Sequence, residues 1–275
     1  MPELPEVEIT RLGLLPHLIG QRIRGVVVRN ARLRWPIPES LPERLTGCVI
    51  GEIARRGKYL LFDCRKEESS GHLLIHLGMS GSLRAITAHI PPGKHDHVDI
   101  LLENGVCARL TDPRRFGAML WIEGDELSHP LLDKLGVEPL SRDFSGAYLY
   151  QSSRGRMVTV KQLLMDGRIV TGVGNIYANE ALFHAGIHPG RVAGKVSLQR
   201  YERLALAVRD TLKRALGAGG SSIRNFVGSD GKAGHFQLDY RVYGRENLAC
   251  RRCKARIRML RQGQRSSFYC PVCQR

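Results

Sequence analysis

Apolar positions in the first 130 residues fall into short, strand-like runs, and those that follow recur at helical spacing. One helix is predicted ahead of the strands, from Pro5 to Gly20. Val7, Leu14, Leu15 and Leu18 share a face there, Pro5 suits a first helical position and Gly20 suits a stop. Pro16 sits inside this segment and argues against its second half. The runs RIRGVVV (22–28), KYLLFDC (58–64), HLLIHL (72–77), HVDILLE (97–103), VCARLTD (106–112) and AMLWIE (118–123) then read as strands rich in β-branched residues. Asn104-Gly105, between two of them, predicts a tight hairpin. Strands at this spacing predict an antiparallel sandwich or barrel.

From about residue 131 the pattern turns helical. HPLLDKLG (129–136) and the segment around Tyr148 mark the crossing. VKQLLMD (160–166) and NIYANEALFHAG (175–186) flank the glycine-rich GRIVTGVG (167–174). The clearest helix runs from Ser197, a plausible cap, to Leu216, with Tyr201, Leu204, Ala205, Val208, Leu212 and Leu216 on one face and Gly217 behind it. Residues 217–234, rich in Gly and Ser, predict a pliable loop. The fold class expected is α+β, in three parts: an N-terminal sandwich with its leading helix (1–132), a helical domain (133–235) and a C-terminal hairpin (236–275).

Charge changes the picture. The chain carries a formal net charge of +16 over 275 residues. Such an excess predicts a polyanionic partner, because Lys and Arg neutralise phosphates and release their counterions. A basic surface kept for solubility is the plain alternative. The last 36 residues hold ten Arg/Lys and one acid, a net of about +9. The N-terminus lacks a charged-then-apolar leader, and no apolar run reaches the roughly 20 residues of a membrane span. A soluble, cytoplasmic protein with no membrane partner is expected.

The cysteines divide into two groups. Cys48, Cys64 and Cys107 stand singly in apolar segments and read as core thiols. Cys250-x2-Cys253 and Cys270-x2-Cys273 lie 16 residues apart, a spacing that suits four thiolates on one tetrahedral zinc ion. With no open coordination position implied, the zinc is expected to be structural and to stabilise a segment too small for its own core.

Pro2 directly follows the initiator methionine, and its small size favours removal of Met1. An α-amine titrates near 7.7–8.0, so roughly a quarter is neutral at pH 7.4, against about one in a thousand for lysine. A neutral amine can attack a carbonyl-like carbon and form an iminium. Glu3 and Glu6 stand where a carboxylate would move protons. The residues alone leave two readings of Pro2: a proline-led helix start, or a nucleophile.

PELPEVE (2–8), HLGMSGSL (76–83), KHDHVD (94–99), TDPRRFG (111–117), GVGNIYANE (172–180) and the paired C-x2-C motifs occur in the order found in the formamidopyrimidine-DNA glycosylase family, which the whole chain resembles. The resemblance implies an N-terminal two-sheet β-sandwich, a helix–two-turn–helix domain and a zinc-finger hairpin. It implies a bifunctional glycosylase and abasic-site lyase of bacterial base excision repair, acting as a monomer on double-stranded DNA with oxidised purines or abasic sites, and nucleoid-associated through that DNA. Pro2 would attack C1′, Glu3 would handle protons there, and β- then δ-elimination would follow without a catalytic metal.

The same resemblance makes Lys58, Asn175 and Arg265 a phosphate clamp. It makes Met79, Arg114 and Phe116 the residues that fill the void left by the everted base. Without it, Lys58 is a solvated strand-end lysine, Met79 and Phe116 are core residues, and His95 and His97 are metal-ligand candidates. With it, His95 contacts DNA and His97 is structural. Arg156 and Lys161 are the nearest candidates for DNA contacts in GRMVTVK (155–161), which is poorer in lysine than the family pattern. His235 replaces a usual tyrosine. Residues 219–232 match the loop that closes over the base. Leu4 and DPRRFG favour purine specificity. The alternatives are an endonuclease VIII-like glycosylase for oxidised pyrimidines and a non-catalytic zinc-finger DNA-binding protein.

Overall fold

The computed structural model describes residues 1–67, 69–219 and 240–275. Most of the expected 217–234 loop, and His235, lie outside the described residues. The chain divides into two compact units. One is built on Met1–Asp133 and the other on Lys134–Gly217 with the C-terminal residues. Among the described residues, no helix is long and apolar enough to cross a membrane.

In the first unit, helix α1 (Leu4–Leu18) precedes strand β1 (Ile23–Val28), a short helix α2 (Leu41–Leu45), and strands β2 (Val49–Arg56), β3 (Tyr59–Lys66), β4 (Ser69–His76), β5 (Ser82–Thr87), β6 (Asp96–Leu102), β7 (Val106–Thr111) and β8 (Ala118–Ile122). They form two antiparallel four-stranded sheets, in orders β1-β6-β7-β5 and β2-β3-β4-β8. Val7, Leu14 and Leu18 of α1 enter one core with Ile53, Phe62, Leu73, Val98, Leu110 and Met119. Pro16 lies in the last turn of α1, where it gives up the bond to the Leu12 carbonyl, and the helix ends two residues later. The Asn104-Gly105 hairpin joins β6 to β7. Gly105 takes a φ of 81°, and the Asn104 side chain accepts the Val106 N–H at 3.0 Å.

Sequence pattern did not reveal β2, β5 or α2. A register shift between Ile50 and Ile53 breaks the period-two alternation of β2. β5 is an edge strand whose burial does not alternate. α2 is too short to show a helical period.

The second unit contains α3 (Gly146–Ser153), α4 (Val160–Met165), α5 (Asn175–Ala185) and α6 (Leu198–Gly217), followed by the hairpin β9 (Arg258–Gln262) and β10 (Arg265–Tyr269). Ser145 caps α3 by accepting the Tyr148 N–H, and Gly186 ends α5 in the left-handed conformation that favours glycine. The hairpin segment packs against α5. Phe183 of α5 packs into one core with Val242, Cys250, Ile257 and Cys270.

Candidate functional site

The amino terminus is a crowded, charged corner of the first unit. Pro2 is buried, as are Glu3 and Glu6 at 2% and 0% exposure. The Glu3 N–H donates to Glu6 Oε2 at 2.8 Å, tying the terminus to the first turn of α1. The α-amine of Met1 is pulled below its ordinary value, first by burial and then by the positive charges of Lys58 and Arg114, while Glu3 and Glu6 oppose the shift. Thus the residues expected to supply proton transfer, phosphate contact and void filling lie within electrostatic reach of the chain's first residue. Lys58 is half-buried and follows the tight β2–β3 turn at Gly57, whose φ is 58°.

His76 is a residue the sequence reading passed over. Its ring packs on Tyr59 at 4.8 Å, and its Nδ1 accepts the Gly78 N–H at 3.1 Å. Burial, together with Lys58 and Arg34, brings its pKa down to about 4, so it is neutral at physiological pH. Its position at the head of HLGMSGSL was the available signal.

Met79 and Phe116, expected to enter DNA, are exposed rather than in the core, at 39% and 41%. The Arg114 guanidinium stands 4.8 Å above the Phe116 ring. His95 is partly exposed beside buried His97, whose Nε2 is 2.8 Å from the carbonyl oxygen of Asp112.

In the second unit, Asn175 is the first residue of α5, directly after Gly174, and is partly exposed. Arg265 is exposed at the start of β10, and Arg156 is exposed with its Nε–H donating to Ser152 O. Lys161 is more deeply buried than the other candidate DNA contacts. Its side chain is 2% exposed, and its ammonium donates to Ser266 O at 2.9 Å and Ser267 Oγ at 2.6 Å. These bonds dock the hairpin against α4. Desolvating an ammonium is costly unless it is hydrogen-bonded, and these acceptors meet that need.

Glu180 was also missed, although it ends the motif GVGNIYANE. Its buried carboxylate accepts the N–H groups of Arg241, Val242 and Tyr243 at 2.8, 3.0 and 2.8 Å. Burial nonetheless raises its pKa.

The sulfurs of Cys250, Cys253, Cys270 and Cys273 lie within 4.8 Å of one another, with 3.4 Å between Cys253 and Cys270 and 4.0 Å between Cys250 and Cys273. Tetrahedral zinc with Zn–S bonds of about 2.3 Å needs sulfurs about 3.8 Å apart, so the cluster fits one zinc ion. Backbone N–H groups of Arg252 and Cys273 reach Cys250 Sγ and Cys270 Sγ, as thiolates require. The site has four protein ligands and is structural.

Three family models match in sequence order: the formamidopyrimidine-DNA glycosylase N-terminal domain over residues 1–119, the H2TH domain of the same enzyme over 135–227, and the zinc finger found in FPG and IleRS over 248–275. The chain is 54% identical over 275 residues to a formamidopyrimidine-DNA glycosylase of Thioalkalivibrio sulfidiphilus, and 55% identical over 278 residues to one of Magnetococcus marinus, each covered completely. Among solved structures it is similar to the MutM (Fpg) protein of Thermus thermophilus (37% identity, TM-score 0.88, covering 99% of this chain and 98% of that one). It is also similar to a Lactococcus lactis Fpg bound to DNA containing an abasic site (34% identity, TM-score 0.91, 99% of each chain). By sequence and by fold, this chain belongs to the formamidopyrimidine-DNA glycosylase family.

Proposed function

We propose that the chain is a bifunctional DNA glycosylase and abasic-site lyase that removes oxidised purines, 8-oxoguanine and formamidopyrimidines, from duplex DNA. The observation that carries this reading is the corner around the amino terminus: Pro2, Glu3 and Glu6 are buried there, and burial with the charges of Lys58 and Arg114 disfavours a charged α-amine on Met1, one residue ahead of the proposed nucleophile. Relatives at 54% identity over their full length bear the corresponding name, and a Lactococcus lactis relative has been solved with Fapy-dG-containing DNA.

With Met1 removed, the Pro2 amine attacks C1′ of the everted nucleotide and the C1′–base bond breaks with the electron pair leaving on the base. Glu3 supplies the proton that opens the sugar, and an iminium between Pro2 and C1′ results. That iminium acidifies the neighbouring C2′ proton, so β- and then δ-elimination expel the two phosphates and hydrolysis frees the amine. Lys58, Asn175 and Arg265 supply phosphate contacts, with His95 and Arg156 adding further DNA contacts. Met79, Arg114 and Phe116 fill the vacated space. The enzyme acts as a cytoplasmic monomer held at the nucleoid by its DNA.

Borohydride trapping on a duplex with one 8-oxoguanine opposite cytosine tests the reading. A stable adduct mapping to residue 2 supports it. An adduct on Lys58 would overturn the nucleophile assignment. Faster excision of thymine glycol would favour an endonuclease VIII-like pyrimidine enzyme instead.

A further inference from the structure

Asp112 is fully buried, and its polar groups are divided among three separate motifs. One carboxylate oxygen accepts Ser80 Oγ–H at 3.1 Å and the Arg114 N–H at 3.3 Å. The other accepts the Gly117 N–H at 2.8 Å. Its backbone N–H donates to His95 O at 3.0 Å, and its carbonyl oxygen faces His97 Nε2. Ser80 neighbours Met79, while Arg114 and Gly117 bracket Phe116. One side chain therefore ties together the two loops that present Met79, Arg114 and Phe116, and its backbone adds the loop of His95.

Two further features mark the junction of these loops, and the first is held against local preference. Arg115 has a φ of 57°, a left-handed conformation that costs a non-glycine residue free energy unless its surroundings impose it. Gly78 also has a positive φ, of 64°, and a Cβ there would meet the Phe116 carbonyl carbon at 2.5 Å and the Gly117 nitrogen at 2.6 Å. The Met79 loop and the Arg114–Phe116 loop are thus in direct backbone contact, at the point where the Asp112 carboxylate joins them.

We infer that Asp112 is a positioning residue for base eversion: it presets the spacing of Met79, Arg114 and Phe116 so that they enter the duplex as one rigid wedge. The inference rests on the void-filling role proposed above for those three residues. A wedge assembled before contact spends no binding energy on ordering its loops. An abasic site, which has no base to unstack, draws less on it.

The test compares the full-length, zinc-loaded wild type with Asp112→Asn on two duplexes, one carrying 8-oxoguanine opposite cytosine and one a preformed abasic site. Rates of borohydride trapping read both reactions, and thermal unfolding reports the fold. The amide of Asn offers one acceptor oxygen where the carboxylate offers two. A selective loss of about tenfold on the paired lesion, with less than about threefold change on the abasic site, is expected. Equal loss on both substrates, or none on the paired lesion, would overturn the inference. If Asp112→Asn does not fold, Ser80→Ala decides. It removes one donor to the same carboxylate and should lower the paired-to-abasic ratio about three- to tenfold, and an unchanged ratio would overturn the inference. A wild-type chain inactive on both duplexes would instead overturn the functional reading on which this one stands.

Discussion

The side-chain carbonyl of Asn179 accepts the Phe268 N–H at 2.7 Å, while its amide donates to Asn175 O at 2.6 Å. One buried residue on α5 therefore registers the hairpin of Arg265 against the helix end of Asn175. Lys161 does the same from α4, through Ser266 and Ser267, and Gln262 adds a bond to Thr159 Oγ1 at 2.9 Å. These contacts explain why the hairpin belongs to the helical unit rather than standing alone.

Lys161→Met should lower stability by about 1–3 kcal/mol in thermal unfolding, because it leaves buried acceptors on the hairpin without their donor. DNA affinity should fall with it, but the salt dependence should not change. Arg265→Ala or Lys58→Ala should instead flatten the slope of log affinity against log salt by about one unit. A one-unit change for Lys161→Met would support Lys161 as a DNA contact.

Alanine variants of Met79, Arg114 and Phe116 should lose activity on paired 8-oxoguanine by more than they lose it on a preformed abasic site, by about tenfold or more. Single-turnover kinetics on the two duplexes measure the difference. Similar losses on both would assign these side chains to folding, in conflict with the exposure of Met79 and Phe116.

Chelation should act on four thiols of the seven in the chain. Burial raises the thiol pKa of Cys48, and brings Cys64 and Cys107 up to about 12, so all three should stay inert to a thiol reagent in the folded protein. Zinc removal should release Cys250, Cys253, Cys270 and Cys273 to the reagent and abolish tight DNA binding, while denaturant should expose all seven. Full DNA affinity in zinc-free protein would refute a role for the finger in binding.

Acid stability depends on Asp99. Burial works against its charged form, but hydrogen bonds from Arg109 and Arg29 outweigh it and hold the carboxyl at about 2. An unfolded aspartate titrates near 3.9. This depressed pKa therefore contributes stability that is complete above that value and is lost as pH falls towards 2, about 2 kcal/mol in all. Asp99→Asn should remove that part of the acid sensitivity. It should also cost about 3 kcal/mol at pH 7, since the guanidinium of Arg109 is 3% exposed and would keep the carbonyls of Ile90 and Pro91 but, as a carboxylate, only the more distant Asp96. Wild-type stability of the variant at pH 7 would contradict this account.

Much of the architecture was legible in local sequence because local physics encodes it. Val160–Met165, Asn175–Ala185 and Leu198–Gly217 are helices whose apolar spacing and ends announce them, and Asn104-Gly105 forms its hairpin because few dipeptides adopt that turn so readily. The zinc site follows from four thiolates at short spacing, a property of residue type more than of fold. Tertiary structure alone decided which polar groups are spent inside the protein. Lys161 lies in a segment expected to contact DNA, yet its ammonium donates to Ser267, 106 positions away. Asp112 reaches Ser80 across 32 positions, and Glu180 caps backbone 61 to 63 positions further on. No periodicity records such pairs. A buried polar group takes whichever partner the packed chain brings within about 3 Å, and that partner is fixed only when distant segments have met.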